Sequence, residues 1–332
     1  MEMAVLGAGA FGTALAKILA GKGHAITLWC RKPERARQLA KTRESPYLAG
    51  CTLPAKVVVT SDLPAAVDGK ALVLCVVPSH GIRALMTDAA GALHEDTILV
   101  NASKGIEEGT LSTIDQIFRE VLPRRIAERA AFLSGPTFAK ELVQGLPAAI
   151  VIASRVASSA ALVQQEFSSD RLRVYSSEDV TGIELGGALK NVCAIGAGIS
   201  DGLGYGHNAR AALITRGIVE MTRLGMRLGA NPLTFAGLAG IGDLILTCTG
   251  DLSRNRHVGL ELGRGRRIAD ILASMQSVAE GVKTTKAARD LATRLAVEMP
   301  ITEAIYAVLY DGKSPQEAVA DLMRRELKSE RW

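Results

Sequence analysis

A short apolar run, Met3–Leu6, leads directly into Gly7-x-Gly9-x-x-Gly12, and small and apolar residues follow at helical spacing from Thr13 to Ala20. Strand, tight turn and helix in that order is the context that makes a GxGxxG pattern informative. Gly7 permits the tight turn, Gly9 lets a pyrophosphate approach the backbone, and Gly12 lets helix and strand pack closely. The free N–H groups of the helix N-terminus then face the phosphates of a dinucleotide. An ordinary glycine-rich turn in a parallel sheet is the competing reading, and the strand-turn-helix context favours the dinucleotide.

In an NAD site of this kind an acidic residue about 20 residues after the glycines takes the ribose 2′-OH. Here the second apolar run, Ala25–Trp29, ends in Cys30-Arg31-Lys32. Two cations at that place would pair with a 2′-phosphate. NADP(H) is therefore expected to be preferred, with NAD(H) also possible. The alternative for Arg31 and Lys32 is a pair of solvated loop charges.

Six more β-rich runs follow: Val57–Thr60, Ala71–Val77, Thr97–Asn101, Ala131–Ser134, Ala148–Ala153 and Leu172–Ser176. Short continuous apolar runs alternating with helical stretches imply a mostly parallel sheet covered on both faces. Ligands in such sheets bind beyond the carboxyl ends of the strands. After Asp179, a plausible N-cap, the strand signal stops and helical periodicity takes over at 179–199, 209–228, 268–275, 284–296, 302–309 and 315–327. The chain of 332 residues suggests about two domains. The expected fold is an α/β Rossmann-like dinucleotide-binding domain, residues 1–188, followed by an all-α domain, residues 189–332. No Pro/Gly/Ser-rich linker separates them, so they should pack directly.

Composition excludes several functions. Hydrophobic residues are 48 % and charged residues 22 % of the chain, which is ordinary for a globular protein. The net charge of +5 comes from scattered basic residues without interleaved aromatics, so no nucleic-acid partner is expected. No apolar run approaches about 18 residues and no basic n-region precedes the first strand, which argues against membrane insertion and a signal peptide and for a cytoplasmic location. Five cysteines without a CxxC pair read as structural free thiols. The five histidines lack ligand spacing, and no metal site is expected.

Three stretches after the glycine motif can carry chemistry. Lys190 follows Gly186 and Gly187 by four and three residues in a helical pattern, and helical side chains lean toward the N-terminus, over those glycines. Each glycine costs a helix about 1 kcal/mol against Ala. Close approach of a ligand or another backbone would explain that cost. Helix–sheet packing with Lys190 reaching water fits equally well. Second, residues 237–256 read as a polar loop between helices that carries Asp243 and ends in Ser253-Arg254-Asn255. Ser253 can cap a helix starting near Arg254, whose N-terminus would attract a phosphate, and Arg254 can add a bidentate fork. Third, Ser103-Lys104-Gly105 puts a cation after the fifth strand.

Taken in chain order, further motifs join these: Gly7-Ala8-Gly9-Ala10-Phe11-Gly12-Thr13-Ala14, Val77-Pro78-Ser79-His80, Ser103-Lys104-Gly105, Ser134-Gly135-Pro136-Thr137-Phe138-Ala139, Gly186-Gly187-Ala188-Leu189-Lys190-Asn191, Ala212-Leu213-Ile214-Thr215-Arg216-Gly217, Gly242-Asp243-Leu244-Ile245-Leu246-Thr247-Cys248, Ser253-Arg254-Asn255 and Val278-Ala279-Glu280-Gly281. As a set spanning essentially the whole chain, they resemble NAD(P)-dependent glycerol-3-phosphate dehydrogenase of the soluble bacterial type. The resemblance implies reversible reduction of dihydroxyacetone phosphate to sn-glycerol 3-phosphate for phospholipid synthesis, a Rossmann-like domain followed by a helical one, and a homodimer. It implies Lys190 as the catalytic acid/base. Lys104, Gly135, Thr137, Lys190, Asp243, Ser253, Arg254 and Asn255 match substrate-site positions. Ala10, Phe11, Arg31, Lys104, Ala139, Arg254, Val278 and Glu280 match cofactor-site positions, beside Gly7, Gly9 and Gly12 of the motif itself. Two other readings remain: a related two-domain dehydrogenase acting on a hydroxy acid such as 6-phosphogluconate, and a non-catalytic NADPH sensor.

Overall fold

The computed structural model describes residues 1–275, 278–327 and 329–330. Eight strands form one sheet: β1 Glu2–Leu6, β2 Ala25–Trp29, β3 Val58–Thr60, β4 Leu72–Cys75, β5 Ile98–Asn101, β6 Ala131–Ser134, β7 Ala148–Ala153 and β8 Leu172–Ser177. Every apolar run picked out above is a strand. The order is β3-β2-β1-β4-β5-β6-β7-β8. All neighbours are parallel except β6 and β7, whose pairing Phe132 to Ala153 is antiparallel. The sheet is therefore mostly parallel, as expected, with one reversal that alternation of apolar runs does not reveal.

Burial on both faces explains why these strands read as continuous apolar runs. Met3 and Val5 belong to one core with Leu15 and Leu19 of the first helix, Ala10–Gly21. Ala4 and Leu6 point the other way, into a second core with Leu85, Phe118 and Phe132.

Beyond the sheet lies the helical part. Its central helix, Val180–Gly202, starts on Asp179, whose side chain accepts from the Gly182 N–H. From Leu185 to Ser200 every residue is buried. A helix apolar on all sides must be surrounded. The surrounding helices include Gly206–Arg227, Asp243–Thr249, Arg254–Gly263 and Glu280–Arg294. Helix Arg254–Gly263 lies in backbone contact with the central helix: a Cβ on Gly198 would sit 2.0 Å from the Arg256 carbonyl oxygen, and one on Gly259 only 1.9 Å from that of Ile195.

One segment corrects the sequence reading. Residues 237–256 are not a polar loop. Asp243–Thr249 is a helix with Asp243, Leu244, Thr247 and Cys248 buried, and Arg254–Gly263 follows after a short turn. The apolar stretch Pro232–Thr249 has the length and mean hydropathy, 1.4, of a membrane span, which a search for uninterrupted apolar runs overlooks. It is no continuous span, because the backbone departs from helical geometry at Gly240 (φ −94°, ψ −105°).

The glycine contacts yield a stability prediction. Gly259→Ala would gain about 1 kcal/mol of helix propensity but force the two helices apart, at about 1–3 kcal/mol or more. The urea midpoint, followed by circular dichroism, should fall. An unchanged or higher midpoint would show that the contact yields without cost.

Candidate active site

Gly7 and Gly12 make the close approaches that the spacing predicts. Gly7 has φ +124°, and a Cβ there would lie 2.3 Å from the Val76 carbonyl oxygen; one on Gly12 would lie 1.9 Å from that of Gly7. Gly9, by contrast, faces open space. It precedes the first helix, whose first amides, those of Ala10 and Phe11 among them, have no acceptor within the helix. Ala139, at the start of helix Ala139–Val143, packs with Ala10 against Ala14, Leu48 and Cys51. The Gly7 amide donates to the Trp29 carbonyl at 3.1 Å, so the end of β2 adjoins the turn. Arg31 and Lys32 follow it, exposed and without an ion pair among the described residues.

Lys104 is set by the end of β5. The Asn101 side chain donates to the Ser103 carbonyl at 3.0 Å and accepts from its amide at 3.1 Å, and Ser103 Oγ accepts from the Val77 amide. This brace sends the Lys104 side chain across Gly187, where a Cβ would lie 3.4 Å from the lysine stem and 3.0 Å from Ser134 Oγ. At Gly186 a Cβ would lie 2.4 Å from the Ala239 carbonyl oxygen. Both helical glycines are thus explained by close approach of protein atoms.

Lys104 Nζ donates to Asp243 Oδ2 at 2.5 Å, and Lys190 Nζ donates to Asp243 Oδ1 at 2.7 Å and to Thr247 Oγ1 at 2.7 Å. Asp243 is 1 % exposed. Burial opposes its ionisation, but the two ammonium groups outweigh that and hold its carboxyl below the ordinary range. Burial has the opposite consequence for Lys190: it pulls the ammonium down to about 8, Asp243 opposes that shift, and Lys104 adds to it. At Lys190 burial outweighs Asp243.

Several of the remaining predicted residues are tied by contacts to the elements around this centre. Gly135, with φ +131°, turns the chain after β6, and Thr137 Oγ1 bonds its carbonyl at 3.3 Å. Pro136 in the same turn lies 3.7 Å from a Cβ position on Gly242. Ser253 Oγ accepts from the Arg256 amide at 3.2 Å, capping the helix as expected. Asn255 donates to Asn191 Oδ1 at 2.9 Å and accepts from the Gly281 amide at 2.9 Å. That places the Ser253–Asn255 turn beside the residue following Lys190. Arg254 makes no salt bridge among the described residues; desolvation lowers its guanidinium's pKa, and the Glu280 carboxylate opposes that. Glu280 reaches over to the strand domain and accepts from Ser79 Oγ at 2.8 Å. Val278 lies at the surface two residues before it, 43 % exposed.

Sequence reasoning gave no role to Thr247, Asn191 or Ser79. Thr247 was detectable, since it lies four residues after Asp243 and so on the same helical face. Treating that stretch as a loop concealed it.

A mostly parallel sheet whose first strand ends in a glycine turn, followed by a helical domain that carries a buried lysine paired to Asp243, is the architecture of a two-domain dinucleotide-dependent oxidoreductase. Profiles described as NAD-dependent glycerol-3-phosphate dehydrogenase N-terminus and C-terminus match residues 2–160 and 179–320. The glycerol-3-phosphate dehydrogenases [NAD(P)+] of Syntrophotalea carbinolica and Citrifermentans bemidjiense are 54 % and 53 % identical to the chain, covering 99 % of it and 99 % and 98 % of their own lengths. The crystal structure of glycerol-3-phosphate dehydrogenase from Coxiella burnetii superimposes with a TM-score of 0.93 at 36 % identity, covering 98 % of this chain and 99 % of that one. The chain belongs to the NAD-dependent glycerol-3-phosphate dehydrogenase family.

The shared carboxylate yields a stability prediction. Asp243→Asn leaves two ammonium groups without their counter-ion, one of them buried, and breaking a buried pair costs about 3–5 kcal/mol. The urea midpoint should fall accordingly. Stability equal to wild type would show that the pairing is not needed for folding.

Proposed function

We propose that the chain catalyses the reversible NAD(P)H-dependent reduction of dihydroxyacetone phosphate to sn-glycerol 3-phosphate, supplying glycerophospholipid synthesis. The observation that carries this reading is the adjacency of a proton-donating lysine, Lys190, to a capped helix N-terminus bearing Arg254 and Asn255, linked through the Asn191–Asn255 hydrogen bond. The names of the relatives at 53–54 % identity support the same substrate.

Bound NAD(P)H supplies the hydride that reduces the C2 ketone. Reduction of a ketone would place growing negative charge on its oxygen. The Lys190 ammonium stabilises that charge and gives up its proton to form the alcohol. Thr247 and Asp243 fix the nitrogen, and Lys104 adds positive charge to the same carboxylate. Arg254, Asn255 and the free amides of their helical turn hold the substrate phosphate, with Gly135 and Thr137 lining the opposite side. Remote phosphate binding orients the ketone against the hydride donor. Gly7, Gly9, Ala10, Phe11, Gly12 and Ala139 cradle the dinucleotide, and Val278 and Glu280 border it from the helical side. Arg31 and Lys32, unpaired beside the turn, favour NADP(H). The family resemblance adds a homodimer and a cytoplasmic location.

The test follows NADPH oxidation with dihydroxyacetone phosphate, dihydroxyacetone and 6-phosphogluconate. Turnover should be fast only with the first, and Lys190→Met should lower kcat about 10²–10⁴-fold. A variant retaining most of its turnover would refute the lysine role, and a wild type silent with every substrate yet binding NADPH would favour a sensor.

The depressed lysine sets the sign of the pH dependence. Reduction needs the ammonium, so its rate should fall as pH rises through about 8. Oxidation needs the neutral amine and should rise over the same range. Parallel profiles in the two directions would contradict the assignment.

For the cofactor, Arg31→Ala should raise the KM for NADPH about tenfold or more, the worth of one charge-assisted bond, and leave that for NADH nearly unchanged. Equal effects on both would place Arg31 away from a 2′-phosphate.

A further inference from the structure

Two ionised side chains of the helical part sit where their own helices disfavour them. Asp201 lies in the last turn of the central helix, and Arg256 in the first turn of helix Arg254–Gly263. Partial negative charge at a helix C-terminus repels a carboxylate, and partial positive charge at an N-terminus repels a guanidinium. One contact offsets both. Arg256 Nε donates to Asp201 Oδ2 at 2.9 Å, with a second guanidinium nitrogen at 2.8 Å. From helix Gly206–Arg227, Arg210 donates to both Asp201 oxygens at 3.0 and 3.1 Å. The three side chains are 10 %, 15 % and 19 % exposed, so water screens them little. Asp251 also meets Arg256, at 2.9 Å, but it is 95 % exposed and contributes little.

Placements that break a local rule and are compensated by one tertiary contact mark sites where position matters. The position at stake here is that of the turn preceding Arg256. Ser253 caps the Arg256 amide while Asp201 grips its guanidinium, so the backbone and the side chain of one residue are both held. Between cap and clamp lie Arg254 and Asn255. The glycine contacts at Gly198 and Gly259 set how near the two helices come; the clamp stops one from sliding or rotating on the other. Because the central helix also carries Lys190, the clamp ties the phosphate anchor and the proton donor to one rigid reference.

We infer that Asp201 is a positioning residue for the phosphate end of the site, acting through Arg256. This rests on the assignment of the substrate phosphate to the Ser253–Asn255 turn. Asp201→Asn should lower kcat/KM for dihydroxyacetone phosphate about ten- to a hundredfold, the cost of a misplaced binding group, mostly through KM. It should leave kcat/KM for dihydroxyacetone, which has no phosphate, unchanged. Competitive inhibition by orthophosphate should weaken in parallel. Asp201→Glu, which keeps the charge, should recover part of the loss.

Unchanged kinetics with dihydroxyacetone phosphate would overturn the inference. So would an equal loss with both substrates, which is what general loosening of the fold produces. If the asparagine variant does not fold, the glutamate variant carries the same comparison: loss confined to the phosphorylated substrate supports the role, and an equal loss overturns it. A wild type inactive on dihydroxyacetone phosphate would instead sink the substrate assignment. Calorimetric binding of orthophosphate to wild type and Asp201→Asn would still read the clamp: weaker binding in the variant supports it, and equal binding overturns it.

Discussion

One buried carboxylate ties the strand domain of this molecule to its helical part. Asp243 is almost wholly inside the protein, and it stays ionised because two ammonium groups, Lys104 from the strand domain and Lys190 from the central helix, each take one of its oxygens. Lys104 comes from the end of β5 and Lys190 from the helical part, so the contact spans both halves of the chain. The electrostatics work in both directions. The lysines keep Asp243 charged, and Asp243 keeps Lys190 from falling further than burial alone would take it. A lysine near 8 can both give and accept a proton close to neutrality, which one at its free value of about 10.4 does poorly.

That electrostatic arrangement needs backbone to come unusually close, and glycine supplies it. Gly186 admits the Ala239 carbonyl and Gly187 the Lys104 stem, while Gly198 and Gly259 let helix Arg254–Gly263 rest on the central helix. The central helix is accordingly a frame rather than an ordinary amphipathic element. It carries Lys190 and Asn191 in its middle and Asp201 at its end, and the neighbouring helices are referenced to it by contacts that tolerate no extra methyl group.

Much of this was legible beforehand. Each of the eight strands follows from a short apolar run, and the close approaches at Gly7 and Gly12 follow from the steric demands of a strand–turn–helix motif. Ser253 and Asp179 announce their caps, because a hydroxyl or carboxylate before a helical pattern has few other uses. Residues 237–256 were the failure. Glycines and polar side chains there look like a loop, yet Asp243 and Thr247 lie on one buried helical face, and their partners Lys104 and Lys190 come from far along the chain. The antiparallel pairing of β6 with β7 was hidden for a similar reason: strand direction is set by the path of the connection, and composition does not record it.

The sequence by itself therefore determined the local elements, the dinucleotide turn and the family, since these depend on spacing along the chain and on what each residue type allows its own backbone to do. Only the tertiary structure decided which charges share a carboxylate, that burial outweighs Asp243 in setting Lys190, and that Asp201 faces Arg256 and Arg210. Those outcomes depend on distance and on the exclusion of water between groups far apart in the chain. Neither quantity exists until the helices have closed around Val180–Gly202.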